Sequence, residues 1–108
     1  MSSIAVIIVA GGSGSRMQAR QPKQFLPIGG CPILMHTIER FAEALEGCRI
    51  VVVLPKTHIA HWQSLCKEYG FDRTHTLCEG GQTRFESVRR GLAHIGDAEL
   101  VAVHDGVR

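Results

Sequence analysis

An open α/β sheet of mainly parallel strands, with helices on both faces, is the fold this 108-residue sequence predicts. Four short apolar, β-branched runs, at residues 4–10, 50–54, 75–78 and 100–103, alternate with longer amphipathic stretches. Such alternation implies parallel strands joined by right-handed crossovers. None of the runs alternates cleanly between polar and apolar residues, as expected of strands covered on both sides. The third observation is where glycine and charge fall: the first run ends in Gly-Gly, and no carboxylate precedes Glu39.

Each element has its own local reason. The first helix is expected over 32–45, with Pro32 in its opening turn, Leu34, Ile38, Phe41 and Leu45 on one face, and Gly47 closing it. The second is expected over 57–69, capped by Thr57, with Trp62, Leu65, Cys66 and Tyr69 inward and Gly70 as its stop. The third starts at a capping box, Thr83-Arg84-Phe85-Glu86, in which both side chains satisfy orphan N–H groups. Its apolar face is read as Phe85, Val88, Leu92 and Ile95, ending at Gly96. With the common strand order 3-2-1-4, the first and fourth strands are neighbours. Ligands of such sheets bind beyond the carboxyl ends of the strands, where the order reverses. The turn at 11–14 and the segment His104-Asp105-Gly106-Val107-Arg108 are therefore expected at one crevice.

Composition narrows the function. Hydrophobic residues make up 44% and charged residues 20%, which is ordinary for a soluble globular domain. A net charge of +2 is too small to suggest nucleic acid as a partner. No apolar run approaches the ~20 residues a membrane span needs, and the run at 4–10 has no charged segment before it to make a signal peptide. Cys31, Cys48, Cys66 and Cys78 form no C-x-x-C pair and read as reduced, mostly buried thiols of a cytoplasmic protein, not as a zinc site.

Charge points to an anionic ligand. Arg16, Arg20 and Lys23 stand unopposed beside the glycine-rich turn, whose N–H groups and cations suit a phosphate. A P-loop is excluded because no Gly-Lys-Ser/Thr follows, and Met17 stands where a dinucleotide fingerprint needs a small residue. Pro22 stiffens the approach to Lys23, whereas Arg20 reads as a solvated loop cation. Asp105 is the lone carboxylate at the switch point. Facing a phosphate it suggests an intervening Mg²⁺, against the alternative of a turn aspartate before Gly106. Glu79-Gly80-Gly81-Gln82-Thr83 allows close backbone approach to a base or sugar, with Gln82 and Ser87 as polar contacts, or is a plain strand-to-helix loop. Arg84, Arg89 and Arg90 read as a solvated basic helix face. His58 and His61 lack a third ligand and read as surface histidines.

Taken together, VAGGSGSRM at 9–17, PKQFLPIGG at 22–30, His36-Thr37, GGQTRFESVRRGL at 80–92 and VHDGVR at 103–108 closely resemble the 2-C-methyl-D-erythritol 4-phosphate cytidylyltransferase family. The resemblance covers essentially the whole chain. It implies a Rossmann-like, three-layer α/β/α nucleotidyltransferase fold and a direct attack of the substrate phosphate on the α-phosphate of CTP, with Mg²⁺ and release of pyrophosphate. By motif position it assigns Arg16 and Lys23 to catalysis, Ala10, Gly11, Gly12, Gly14, Gly81, Gln82 and Ser87 to the nucleotide, Gly106 and Arg108 to the sugar-alcohol phosphate, and Asp105 to the metal. The family often has Ala at Gly11, an acidic residue at Gln82 and Ala-Ala at Gly106-Val107. Its members also continue well past this point and form homodimers. Residues 1–108 are thus expected to be the nucleotide-binding part of a single domain, truncated at its C-terminal end, with the fourth strand left as a bare edge. A ribitol 5-phosphate cytidylyltransferase and a noncatalytic nucleotide-binding module are the alternatives. An NAD-binding domain is disfavoured, since Leu54-Pro55 stands where an acid should close the second strand.

Overall fold

Residues 3–10 and 25–105 are described by the computed structural model. Four parallel strands form the central sheet: β1 (Ile4–Val9), β4 (Arg49–Leu54), β5 (Thr76–Glu79) and β6 (Leu100–Asp105), in the order β5-β4-β1-β6. This is the 3-2-1-4 order expected from the alternation, with β1 and β6 side by side. A two-stranded antiparallel hairpin, β2 (Pro27–Ile28) and β3 (Cys31–Pro32), precedes helix α1 (Ile33–Ala44). The sequence reading missed it, because strands this short leave no periodicity. Gly29 and Gly30 turn the hairpin with φ of +64° and +99°, values that glycine alone adopts without strain. Pro32 therefore caps α1 from the hairpin and does not sit inside the first turn.

The core divides at the sheet. Val6, Ile8, Ile50, Val52 and Leu54 pack with Leu34, Met35 and Ile38 of α1 and with Trp62 of α2 (Lys56–Tyr69). Ile7, Val51, Val53 and Cys78 face the other way, towards α3 (Arg84–Leu92). Residues 5 to 8 of β1 are wholly buried, which accounts for the unbroken apolar run. Because paired residues of adjacent strands share a face, the register Ile7↔Val103 and Val9↔Asp105 puts Val103 and Asp105 on the α3 side. His104 points to the α1 side, where its ring meets Phe41 edge-on at 5.2 Å.

Three helix expectations need correction. Helix α2 begins at Lys56 on Pro55, not on a Thr57 cap, because the proline ψ of 145° already leads the chain into the helix and its carbonyl accepts from the His58 N–H. Tyr69, in the last turn of α2, is exposed. Helix α3 ends at Leu92 and only partly buries the face read from spacing: Phe85 is 77% and Leu92 44% exposed, Val88 is half-buried, and Ile95, beyond the helix end, packs against the core. Its inward residues are Ser87 and Gly91. A Cβ on Gly91 would lie 2.9 Å from Ile7 Cγ2 and 3.2 Å from Val53 Cγ2, so the helix backbone sits directly on the sheet. Small residues make that approach possible and push the large ones to the flank.

The four cysteines are free, as expected, though only Cys78 is buried and the other three are half-buried. Burial pushes the Cys66 thiol up to about 11. Among the described residues no helix is long and apolar enough to cross a membrane. Leu100, Val101 and Val103 leave β6 an exposed apolar edge among those residues, as the sequence led us to expect.

Candidate functional site at the carboxyl edge of the sheet

Strand β1 ends at the middle of the sheet, and the ladder continues one residue further, where the Ala10 N–H donates to the Val53 carbonyl at 2.9 Å. Ala10 is buried there. On the far side of β4, the Gly80 N–H donates to the Leu54 carbonyl at 2.7 Å, so the loop after β5 is drawn in beside the end of β4. Asp105 ends β6 opposite Val9. Ala10, the 80–83 loop and Asp105 thus line one edge of the sheet. Gly11, Gly12, Gly14, Arg16, Arg20, Lys23, Gly106 and Arg108 lie outside the described residues.

The loop holds its shape by bonds to its own helix. Thr83 caps α3, its Oγ1 accepting from the Glu86 N–H at 3.0 Å, as the capping box requires. The reciprocal bond departs from the box: Glu86 Oε1 accepts from the Gln82 N–H at 3.1 Å, not from that of Thr83. Ser87 Oγ accepts from the Gly81 N–H at 3.1 Å. A Cβ on Gly80 would come within 2.9 Å of that oxygen, and one on Gly81 within 2.6 Å of Glu86, so both positions exclude side chains. Arg90 fastens the loop from outside, donating from Nη1 to the Gly80 carbonyl at 3.1 Å.

Two N–H groups that could have met a ligand are therefore already spent. What the loop offers instead is the exposed Gln82 amide, both donor and acceptor, and the proton of the Ser87 hydroxyl, which donates to no acceptor among the described residues. Those are the groups needed to read the edge of a base.

The arginines of α3 do not form one solvated face. Arg84, Ser87 and Gly91, at i, i+3 and i+7, share the stripe turned towards the sheet. Arg84 Nε donates to Asp105 Oδ1 at 3.0 Å, bridging the start of α3 to the end of β6. Spacing gave no sign of this contact, since its partners are twenty-one positions apart. Asp105 Oδ2 carries no hydrogen bond among the described residues, and a hard carboxylate oxygen is what Mg²⁺ takes. No group of three His, Cys, Asp or Glu side chains able to hold a metal occurs among them. Asp105 Oδ2 is the carboxylate oxygen that this edge could offer a cation.

Two other features stand apart. His61 is exposed, as read from the sequence, but His58 is half-buried; both meet the buried Phe25 ring edge-on, at 4.9 and 6.0 Å respectively, and Phe25 stacks on Trp62 at 5.7 Å. His58 Nδ1 is buried with no hydrogen-bond partner among the described residues, and desolvation, with the His61 charge second, lowers the His58 pKa. A cavity of about 310 Å³ lies between the β2–β3 hairpin and the end of α2, lined by Cys31, Met35, Glu39, Tyr69 and Phe71 among others. None of the residues at the carboxyl edge borders it.

Comparison with known proteins bears directly on this arrangement. Residues 4–108 match the family model of 2-C-methyl-D-erythritol 4-phosphate cytidylyltransferase, IspD. The chain is 56% identical over 102 residues to the enzyme of that name from Porphyromonas gingivalis, covering 94% of this chain and 45% of the relative. To the Clostridium novyi enzyme it is 40% identical over 109 residues, covering 100% of this chain and 47% of the relative. It thus spans about half the length of the curated relatives it matches. Among solved structures, 4-diphosphocytidyl-2C-methyl-D-erythritol synthase from Anaerococcus prevotii superposes with a TM-score of 0.76 at 28% identity, over 99% of this chain and 44% of that one. Bifunctional IspDF from Campylobacter jejuni gives 0.78 at 28% identity, over 97% of this chain and 26% of that one.

Proposed function

The chain belongs to the 2-C-methyl-D-erythritol 4-phosphate cytidylyltransferase family, and from that membership we propose that residues 1–108 are the nucleotide-binding part of a single cytidylyltransferase domain. The reaction is cytidylyl transfer: a phosphate oxygen of methylerythritol phosphate attacks the α-phosphorus of CTP, the bond from that phosphorus to the bridging oxygen breaks, and pyrophosphate leaves with the electron pair. Charge accumulates on the α-phosphoryl oxygens as the two anions meet, so catalysis is chiefly positioning and electrostatic stabilisation.

The observation that carries the reading is the meeting of Ala10, the Gly80–Thr83 loop and Asp105 along one sheet edge, at the switch point where open α/β sheets bind ligands. Gln82 and Ser87 face the base and ribose, and Gly81 lets them approach. Asp105 would hold Mg²⁺, and a bound cation would supply charge neutralisation at the phosphates. Arg16 and Lys23, with Gly11, Gly12 and Gly14, serve the triphosphate, while Gly106 and Arg108 serve the sugar-alcohol phosphate. The working form is a cytoplasmic homodimer of the longer protein.

Full-length protein supplied with CTP and Mg²⁺ is expected to release pyrophosphate with methylerythritol phosphate and to remain near background with ribitol 5-phosphate. Equal turnover of both would replace the substrate. Release with neither, while Mg-CTP still raises the melting temperature, would leave a nucleotide-binding module.

A further inference from the structure

We infer that Arg84 is a positioning residue for Asp105, fixing the carboxylate through Oδ1 so that Oδ2 is presented to the cation. The inference rests on the cytidylyl-transfer reading and names how its metal ligand is aimed.

The position of Arg84 is otherwise hard to explain. It opens α3, where the helix dipole disfavours a cation, and a carboxylate or neutral residue would stabilise the helix better. The ion pair is too open to contribute much to stability, the side chains being 58% and 34% exposed. Strand β6 does not need it either, since it is held by pairing with β1 from Leu100 to Asp105. What the contact does fix is direction. A carboxylate at the last residue of a strand turns freely about its terminal torsion, and a single Nε donor 3.0 Å from one oxygen removes that freedom while leaving the other oxygen open.

The same bond makes the base-reading loop and the metal carboxylate one unit. Arg84 follows the capping residue Thr83 directly and lies on the same helix stripe as Ser87, which holds the Gly81 N–H. Displacing the loop displaces Arg84, and with it the orientation of Asp105. Both Nη groups of Arg84 carry no hydrogen bond among the described residues, so anchoring Asp105 does not exhaust its donors.

The test uses the full-length enzyme and reads ligand-induced stabilisation as well as turnover. The rise in melting temperature given by CTP is measured with Mg²⁺ and again with EDTA, for wild type, Arg84→Ala, Arg84→Gln, Arg84→Lys and Asp105→Asn. Asp105→Asn is expected to lose the magnesium-dependent part of the shift. The Ala and Gln variants should lose at least half of it while keeping the EDTA shift, and Lys should restore part. In turnover, the Mg²⁺ concentration for half-maximal rate should rise about tenfold in Arg84→Gln, with the rate at saturating Mg²⁺ falling less than threefold. The inference is overturned if the Arg84 variants keep the full magnesium-dependent shift while Asp105→Asn loses it, or if they bind Mg²⁺ more tightly, which would make Arg84 a competitor of the cation. If Asp105→Asn also keeps the shift, the metal role of Asp105 falls first and that of Arg84 with it. Should the Ala variant fold poorly, Gln, which keeps most of the side-chain length, carries the comparison.

Discussion

Ser87 is the one buried polar side chain among the described residues, and its burial is matched by a bond to the Gly81 N–H. Removing the hydroxyl leaves that donor without a partner in a tight loop, at a cost of about 1–2 kcal/mol. Ser87→Ala in the full-length protein should therefore lower the urea midpoint by the corresponding amount and raise the KM for CTP more than it lowers kcat. An unchanged KM would leave Ser87 as a structural residue of the loop alone. Residues whose role is local were legible in the sequence: the Thr83 cap follows from four consecutive letters. Arg84 was not, because its partner lies on another strand and no spacing rule joins a helix start to a strand end twenty-one residues later. The swap of Gln82 for Thr83 as donor to Glu86 was equally hidden, since it depends on a glycine backbone that no side chain could follow.

At the scale of elements, helix spacing located α3 but read its buried face only in part. Periodicity counts hydrophobic side chains, whereas α3 docks through the residues that occupy least room, Ser87 and Gly91. The opposite lesson comes from α2, whose histidines look like surface residues in a list of letters. Phe25, arriving from another part of the chain, fills the space against Trp62 and buries an edge of His58. The folded-state pKa of His58 lies below its ordinary value of 6.5, chiefly through desolvation. The fold therefore favours the neutral ring: its contribution is fully present above about pH 6.5 and is lost as pH falls through the lowered folded value. Unfolding midpoints measured from pH 7.5 down to pH 5 should decline less steeply for His58→Gln than for wild type. Parallel slopes would show that His58 titrates alike in both states.

The whole molecule follows its alternation closely. Strand order and the meeting of β1 with β6 were both present in the order of apolar runs, because parallel crossovers allow few arrangements. The bare last strand was expected too, and the structure adds which side chains it leaves uncovered. Leu100, at 58% exposure, and the half-exposed Val101 and Val103 form an edge that no other strand among the described residues pairs. The 108-residue chain is expected to associate as its concentration rises, and Val101→Lys, which places a charge on that edge, should shift the onset to higher concentration in light scattering. Association unaffected by the lysine would place the contact elsewhere.

The pairing of Val9 with Asp105 also sets an arithmetic limit on how this chain can change in length. Side chains of a strand alternate, so losing or gaining one residue between Leu100 and Asp105 would keep the ladder's hydrogen bonds yet turn the carboxylate towards α1, where His104 now meets Phe41. The apolar core would scarcely notice, for Ala102 and Val103 are both small enough to trade sides. The connection between α3 and β6 is under no such parity and can absorb single insertions. A single-residue change in length is thus expected to be tolerated before β6 and not within it, not because the strand would fail to form, but because its last residue would count to the wrong side.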